Sequence, residues 1–271
     1  MTEFLRLMAA PFAACLVLTG IHAYLGLHVI ERQVIFVDLA LAQIAALGST
    51  VGFLFGFGLH HGASYAFALG FTFLGAVIFA LTRFKEEKVP HEAIIGVAYA
   101  VAAAASILVL SRASEGSEEL KSLLVGHLLF VTWPEVAKMA VIYSIIGFLH
   151  WLSRRRLLFI SQHPQEAFGQ GLPVRWWDLF FYVTFGVVVT SSVGLAGVLL
   201  VFSFLIVPAI CGVLLGKTVG GRLAIGWGIG VLTSILGVAA SYFWDLPTGA
   251  AVVCAFGLVL LAVGALKAVI K

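Results

Sequence analysis

The sequence predicts an all-α, polytopic membrane protein with about nine transmembrane helices, and three observations predict it. The 271-residue chain is 62% hydrophobic and 11% charged, with a mean hydropathy of +1.10, which excludes an ordinary soluble domain. Apolar windows of about 19 residues, long enough to cross a hydrocarbon layer, recur along its whole length. The positive charges are sorted between alternate connections. The formal net charge is only +3, so placement matters more than amount.

The first span covers residues 8–30, where the apolar run continues too far for a signal peptide and further spans follow. Spans at 34–58, 62–82 and 91–111 come next, the last of them beginning directly after Pro90. A fifth, at 134–153, stops at Arg154, Arg155 and Arg156. The region 176–216 divides into 176–194 and 197–216, and the chain closes with 222–243 and 247–266. Connections after the odd-numbered spans, with the C-terminus, hold twelve of the sixteen Lys and Arg residues. The positive-inside rule therefore puts those connections in the cytoplasm and the N-terminus outside. One transmembrane domain over residues 1–271 is expected.

Two connections are too long for simple turns. Residues 111–133 begin with a polar Ser/Glu cluster and continue into an apolar run too short to span, which predicts a re-entrant or surface helix on the outer side. Residues 154–175 begin with three arginines and continue as a short polar helix between Pro164 and Pro173. This is the largest cytoplasmic element and suits docking to a soluble partner.

The second span carries the residue of most interest. Asp38 lies in an apolar stretch, where a carboxylate is costly unless it meets a partner, water or a cation. Asp38, Ala42, Ala45, Ser49, Gly52 and Gly56 recur at alternating steps of four and three, so they share one narrow, small-residue helix face. That face lets a neighbouring helix or a passing solute approach the backbone. Gln43 points elsewhere.

Eight histidines raise a metal reading, because imidazole suits transition metals. His60, His61 and His127 fall in two outer connections that can receive a cation, although adjacent histidines chelate poorly. His22 and His28 lie on different faces of the first span, and His91, His150 and His163 are expected to meet water or headgroups at cytoplasmic ends. Cys15, Cys211 and Cys254 have no ligand or redox spacing and read as small packing residues. GVLLGKT at 212–218 has one residue too few between its glycines for a phosphate loop and follows a membrane helix. GxGxG at 226–230 is a packing feature, and no HExxH is present. The chain thus shows no catalytic apparatus of its own.

ERQVIFVDLALAQ resembles the Arg-rich turn and Gly-Asp-Ala-Leu-Ser-His-Ala run of the membrane permease subunits of bacterial ATP-binding-cassette importers for zinc, manganese and iron. HEAIIGVAYA is similar to that family's acidic-Thr-Ala-Ile-Gly segment, LAGVLLVFSFLIVPAICGVLL to its long apolar run, and SYFWDLPTGA to its Ser-Tyr, Asp-x-Pro-x-Gly turn. Four such segments in order make the resemblance specific. It implies a fold related to the cobalamin and siderophore importer permeases, and a homodimer of this chain forming the pathway. It also implies two cytoplasmic ATPase subunits docking on the loop at about 157–172, at Gln165, Glu166, Ala167, Gly169 and Gly171. An extracytoplasmic metal-binding protein would deliver the metal; ATP would be hydrolysed on the partner, with no cofactor on this chain and no nucleic acid involved. Asp38 matches the family's metal-path aspartate, with Ala42, Ala45, Ser49 and Gly52 lining the path. The family histidine four residues later is Ala42 here, so the site lacks its imidazole. Two other readings remain: an importer of a metal chelate or cobalamin-like solute on the same fold, and an ATP-independent secondary carrier, which would be expected to carry more intramembrane acids and bases.

Overall fold

The computed structural model describes residues 2–57, 62–83, 89–111 and 126–270. Among them are ten α-helices and one 3-10 turn, Leu128–Phe130, and nine of the helices are long and apolar enough to cross a membrane. The helices are α1 (Thr2–Glu31), α2 (Val37–Leu54), α3 (Gly62–Leu81), α4 (His91–Leu110), α5 (Trp133–Gln162), α6 (Pro164–Gly169), α7 (Val174–Ala196), α8 (Val198–Leu215), α9 (Val219–Trp244) and α10 (Thr248–Ile270). All but α6 are candidate spans.

Boundaries differ from the hydropathy reading at several helix ends, among them those of α5 and α2. Helix α5 runs nine residues past the expected end at 153 and carries Arg154, Arg155 and Arg156 on its last turns, because intrahelical bonding continues where hydropathy falls. Helix α2 ends at Leu54, short of 58. The expected outer helix in the 111–133 connection falls mainly on residues outside those described.

Several helix starts have a local cause. Thr132 precedes α5, and Glu135 Oε2 accepts from its backbone N–H at 2.8 Å and its hydroxyl at 2.7 Å, the glutamate half of a capping box. The Thr218 hydroxyl accepts from Gly221 N–H at 3.1 Å at the start of α9. Between α7 and α8, Gly197 has φ +79°, and this break resolves how the apolar region 176–216 divides. Within the spans, Thr19, Thr72, Ser106, Ser203 and Ser234 donate to carbonyls four residues earlier at 2.7–2.9 Å, which satisfies hydroxyls that lipid cannot.

The chain forms two compact units. One comprises Met1–Ile30, Leu124–Gly147 and Ser192–Lys271. In it α8, α9 and α10 pack together, with Phe204 of α8 edge-on to Phe256 of α10 at 4.9 Å. The turn between α9 and α10 explains the SYFWDLPTGA run. Asp245 takes the left-handed conformation at φ +51°, which Asp tolerates better than most residues, while the Ser241 hydroxyl bonds Leu246 O and the Thr248 hydroxyl, each at 2.8 Å.

The other unit comprises Glu31–Leu123 and Phe148–Ser191. There α2 packs on α3 and α4. A Cβ on Gly48 would stand 2.6 Å from Phe67 O and 2.9 Å from Ala68 Cα, so only glycine permits this approach. The Thr72 and Thr190 hydroxyls meet at 2.9 Å.

Candidate functional site

The site is built on the first turn of α2. A turn at 32–36, with Gln33 at φ +57°, ends α1 and lets α2 begin at Val37, so Asp38 is the second helical residue. The apolar stretch thus holds Asp38 near one end rather than at mid-helix, where the helix dipole favours a carboxylate. Asp38 is 2% exposed, and its Oδ1 is buried without a hydrogen-bond partner among the described residues.

A second carboxylate stands at the same helix end. Phe36, the residue preceding α2, offers no side-chain cap. Its N–H donates instead to Oε1 of Glu92, in the first turn of α4, at 2.9 Å. Glu92 is half-buried, and its Oε2 atom is buried with no partner among the described residues.

Along α2, Ala42, Ala45 and Gly52 are buried and Ser49 is half-buried. Gly52 packs against α3, where a Cβ would stand 3.2 Å from Ser64 Cα and 3.2 Å from the Phe67 ring. Gln43 is half-buried.

Beside this site lies an ionic cluster. Arg32 Nη1 and Arg83 Nη1 both donate to Asp178 Oδ1, at 2.5 and 2.9 Å. Arg32 Nε also donates to Ser161 Oγ at 2.9 Å, and its guanidinium lies 4.2 Å above the Phe181 ring. Positive-inside counting treats both arginines as loop charges; the structure buries them, because Asp178 and the aromatic face replace water.

Helix α6 occupies the predicted docking loop. It starts at Pro164, ends at Gly169 and is closed by a Schellman turn: Leu172 N–H donates to Ala167 O and Gly171 N–H to Phe168 O, both at 3.1 Å. Gly171 supplies the required positive φ, +71°. Ala167 is buried in a small core with Ile160 and Val174, whereas Gln165, Glu166, Gly169 and Gly171 are exposed. An apolar groove of about 540 Å³ runs beside the helix, with Leu81, Phe168, Leu172 and Trp176 among its walls.

The histidines divide. His60 and His61 lie outside the described residues. The His127 side chain is exposed, while its N–H donates to Leu195 O at 2.9 Å. His91 and His150 are buried rather than wetted: His91 Nε2 lies 3.0 Å from Phe79 O, and His150 Nε2 lies 2.7 Å from the Thr184 hydroxyl. His22 bonds Leu18 O at 2.9 Å through Nδ1. Among the described residues no three His, Cys, Asp or Glu side chains gather as a metal-ligand group. Cys15 and Cys211 are buried packing residues, but Cys254 is exposed.

Sequence reasoning missed Asp178 and the position of Glu92. Asp178 sits in the apolar run WWDLFFYV and carries the same signal that singled out Asp38. Glu92 gives no such signal, because its backbone partner is 56 residues away in the chain.

The family model described as ABC 3 transport family matches residues 4–267. The chain is 25% identical over 232 residues to the manganese transport system membrane protein MntC of Listeria monocytogenes, covering 84% of this chain and 79% of that protein. It is 25% identical over 200 residues to the chelated iron transport system membrane protein YfeC of Yersinia pestis, covering 71% and 68%. Its fold is like that of a chain in the structure of PsaBC from Streptococcus pneumoniae in complex with Fab, with a TM-score of 0.76 and 20% identity over 97% of this chain and 94% of that one.

Proposed function

The chain belongs to the ABC 3 transport family, and from that premise we propose that it is the permease of an importer for a divalent transition metal, manganese or zinc. It is a transport subunit of the bacterial inner membrane and not an enzyme; ATP is hydrolysed on separate partner chains. The observation that carries the metal reading is the buried Asp38 carboxylate, with Oδ1 unpartnered among the described residues. A buried charge of this kind stays ionised only with a counter-charge, and a passing cation supplies one. Ala42, Ala45, Ser49 and Gly52 extend the same face and line the path.

Two copies of the chain form the pathway in this reading, and an extracytoplasmic binding protein delivers the metal. The ATPase docks on α6. Support comes from its construction, with Ala167 anchoring the helix while Gln165, Glu166, Gly169 and Gly171 remain exposed.

Asp38→Ala is expected to abolish metal uptake while the permease still co-purifies with its ATPase. Unchanged uptake would remove Asp38 from the path.

A further inference from the structure

One guanidinium in the unit formed by Glu31–Leu123 and Phe148–Ser191 joins elements far apart in the chain. Arg32 lies in the turn before α2. Its Nε donates to Ser161 Oγ, in the last turn of α5, at 2.9 Å, and its Nη1 donates to Asp178 Oδ1, in the second turn of α7, at 2.5 Å. The Arg32 and Asp178 side chains are both fully buried. Helix α6 lies between these two anchors, and its Ala167 packs with Ile160, next to Ser161, and Val174, one turn before Asp178. A close-packed core transmits strain, so a displacement of α6 passes to both anchors. The 32–36 turn is bonded as well: Val37 N–H donates to Val34 O at 3.2 Å, and Phe36 N–H donates to Glu92 Oε1 at 2.9 Å. Arg83, just after α3, donates to the same Asp178 Oδ1 at 2.9 Å but, among the described residues, bonds neither Ser161 nor the α2 turn. Arg32 Nη2 and Asp178 Oδ2 are buried without a partner among the described residues. The pair can therefore pass from one bond to two parallel ones, the usual fork of arginine on a carboxylate.

We propose that Arg32 is a positioning residue for transport: it links both flanks of α6 to the start of α2, so that ATP-driven movement of α6 shifts α2, whereas Arg83 only holds Asp178 in place. The proposal rests on the importer and docking readings above. A contact with two discrete arrangements, biased from both ends, is what carries coupling between distant sites. The two arginines share one carboxylate oxygen, yet Arg32 alone of the two also holds Ser161 and the α2 turn. That asymmetry makes the role separable. A lysine at 32 keeps the charge opposite Asp178, but its single ammonium lacks the rigid fork that serves Ser161 and Asp178 together. A lysine at 83 gives up no second tie.

The test reads the number of Mn²⁺ ions taken up per ATP hydrolysed, in proteoliposomes holding the permease, its ATPase and its binding protein. A merely structural defect lowers the amount of assembled complex, reducing uptake and hydrolysis together and leaving the ratio unchanged. Arg32→Lys is expected to keep the ATPase bound and hydrolysing while the ratio falls about threefold or more, within the range that substitutions along coupling networks reach. Ser161→Ala removes one arm of the contact; it should lower the ratio by less, and it stands in where Arg32→Lys does not fold. Arg83→Lys should leave the ratio at the wild-type value. A wild-type ratio in Arg32→Lys, or in Ser161→Ala where that variant stands in, overturns the proposal, and so does an equal fall in Arg32→Lys and Arg83→Lys. Failure of the underlying readings shows elsewhere. No ATP-dependent uptake of Mn²⁺ or Zn²⁺ by the wild type ends the importer reading, and ATPase retained after deletion of 165–171 ends docking at α6; either result takes the proposal with it.

Discussion

Arg32 donates to Asp178 Oδ1 at 2.5 Å across 146 residues of chain, and the contact ties the turn before α2 to the second turn of α7. Helix α6 is flanked by Ser161 on one side and Asp178 on the other, and Arg32 holds both. The segment that carries α6 and the start of the Asp38 helix are therefore fastened at one point.

Because this point is buried, its removal is costly. Asp178→Ala leaves two guanidiniums without their counter-charge, which costs about 3–5 kcal/mol for a broken buried pair. Arg83→Ala leaves the Arg32–Asp178 pair in place and should cost less. Thermal unfolding of the detergent-purified variants checks the order; equal stability of Asp178→Ala and wild type would contradict it.

The α6 turn gives a second prediction. Gly171 is at φ +71°, and a residue with a Cβ there costs about 1–2 kcal/mol. Gly171→Val is expected to loosen the Schellman turn and weaken retention of the ATPase on the permease, while deletion of 165–171 should abolish it. Pull-down of the ATPase measures both, and full retention by the deletion variant would refute docking at α6.

Close packing of α2 on α3 gives a third. Any side chain on Gly48 meets Phe67 O and Ala68 Cα within 3 Å, so Gly48→Leu should destabilise the protein by about 1–3 kcal/mol or more through overpacking. Gly70, whose added Cβ meets nothing within 4 Å, should accept Ala with little change. Unfolding midpoints of the two variants compare them directly.

Much of the fold was legible because membrane helices announce themselves by hydropathy, and the nine expected spans match nine helices among the described residues. Asp38 was legible for the same reason: an acid in an apolar run is conspicuous. Arg32 and Arg83 were misread, since a count of loop charges does not register that Asp178 buries them. His91 and His150 were misread likewise, because a partner such as Phe79 O or Thr184 is brought near only by helix packing. Glu92 was hidden twice over, lying at a helix start where acids are ordinary and bonding a backbone N–H that carries no sequence signal.

The role proposed for Asp38 is to hold the ion in transit. Its most direct test is Mn²⁺ uptake into proteoliposomes containing the permease, its ATPase and its binding protein, with ATP hydrolysis recorded in the same vesicles. Asp38→Asn is expected still to assemble and hydrolyse ATP but to accumulate no Mn²⁺. Accumulation at the wild-type rate would contradict it.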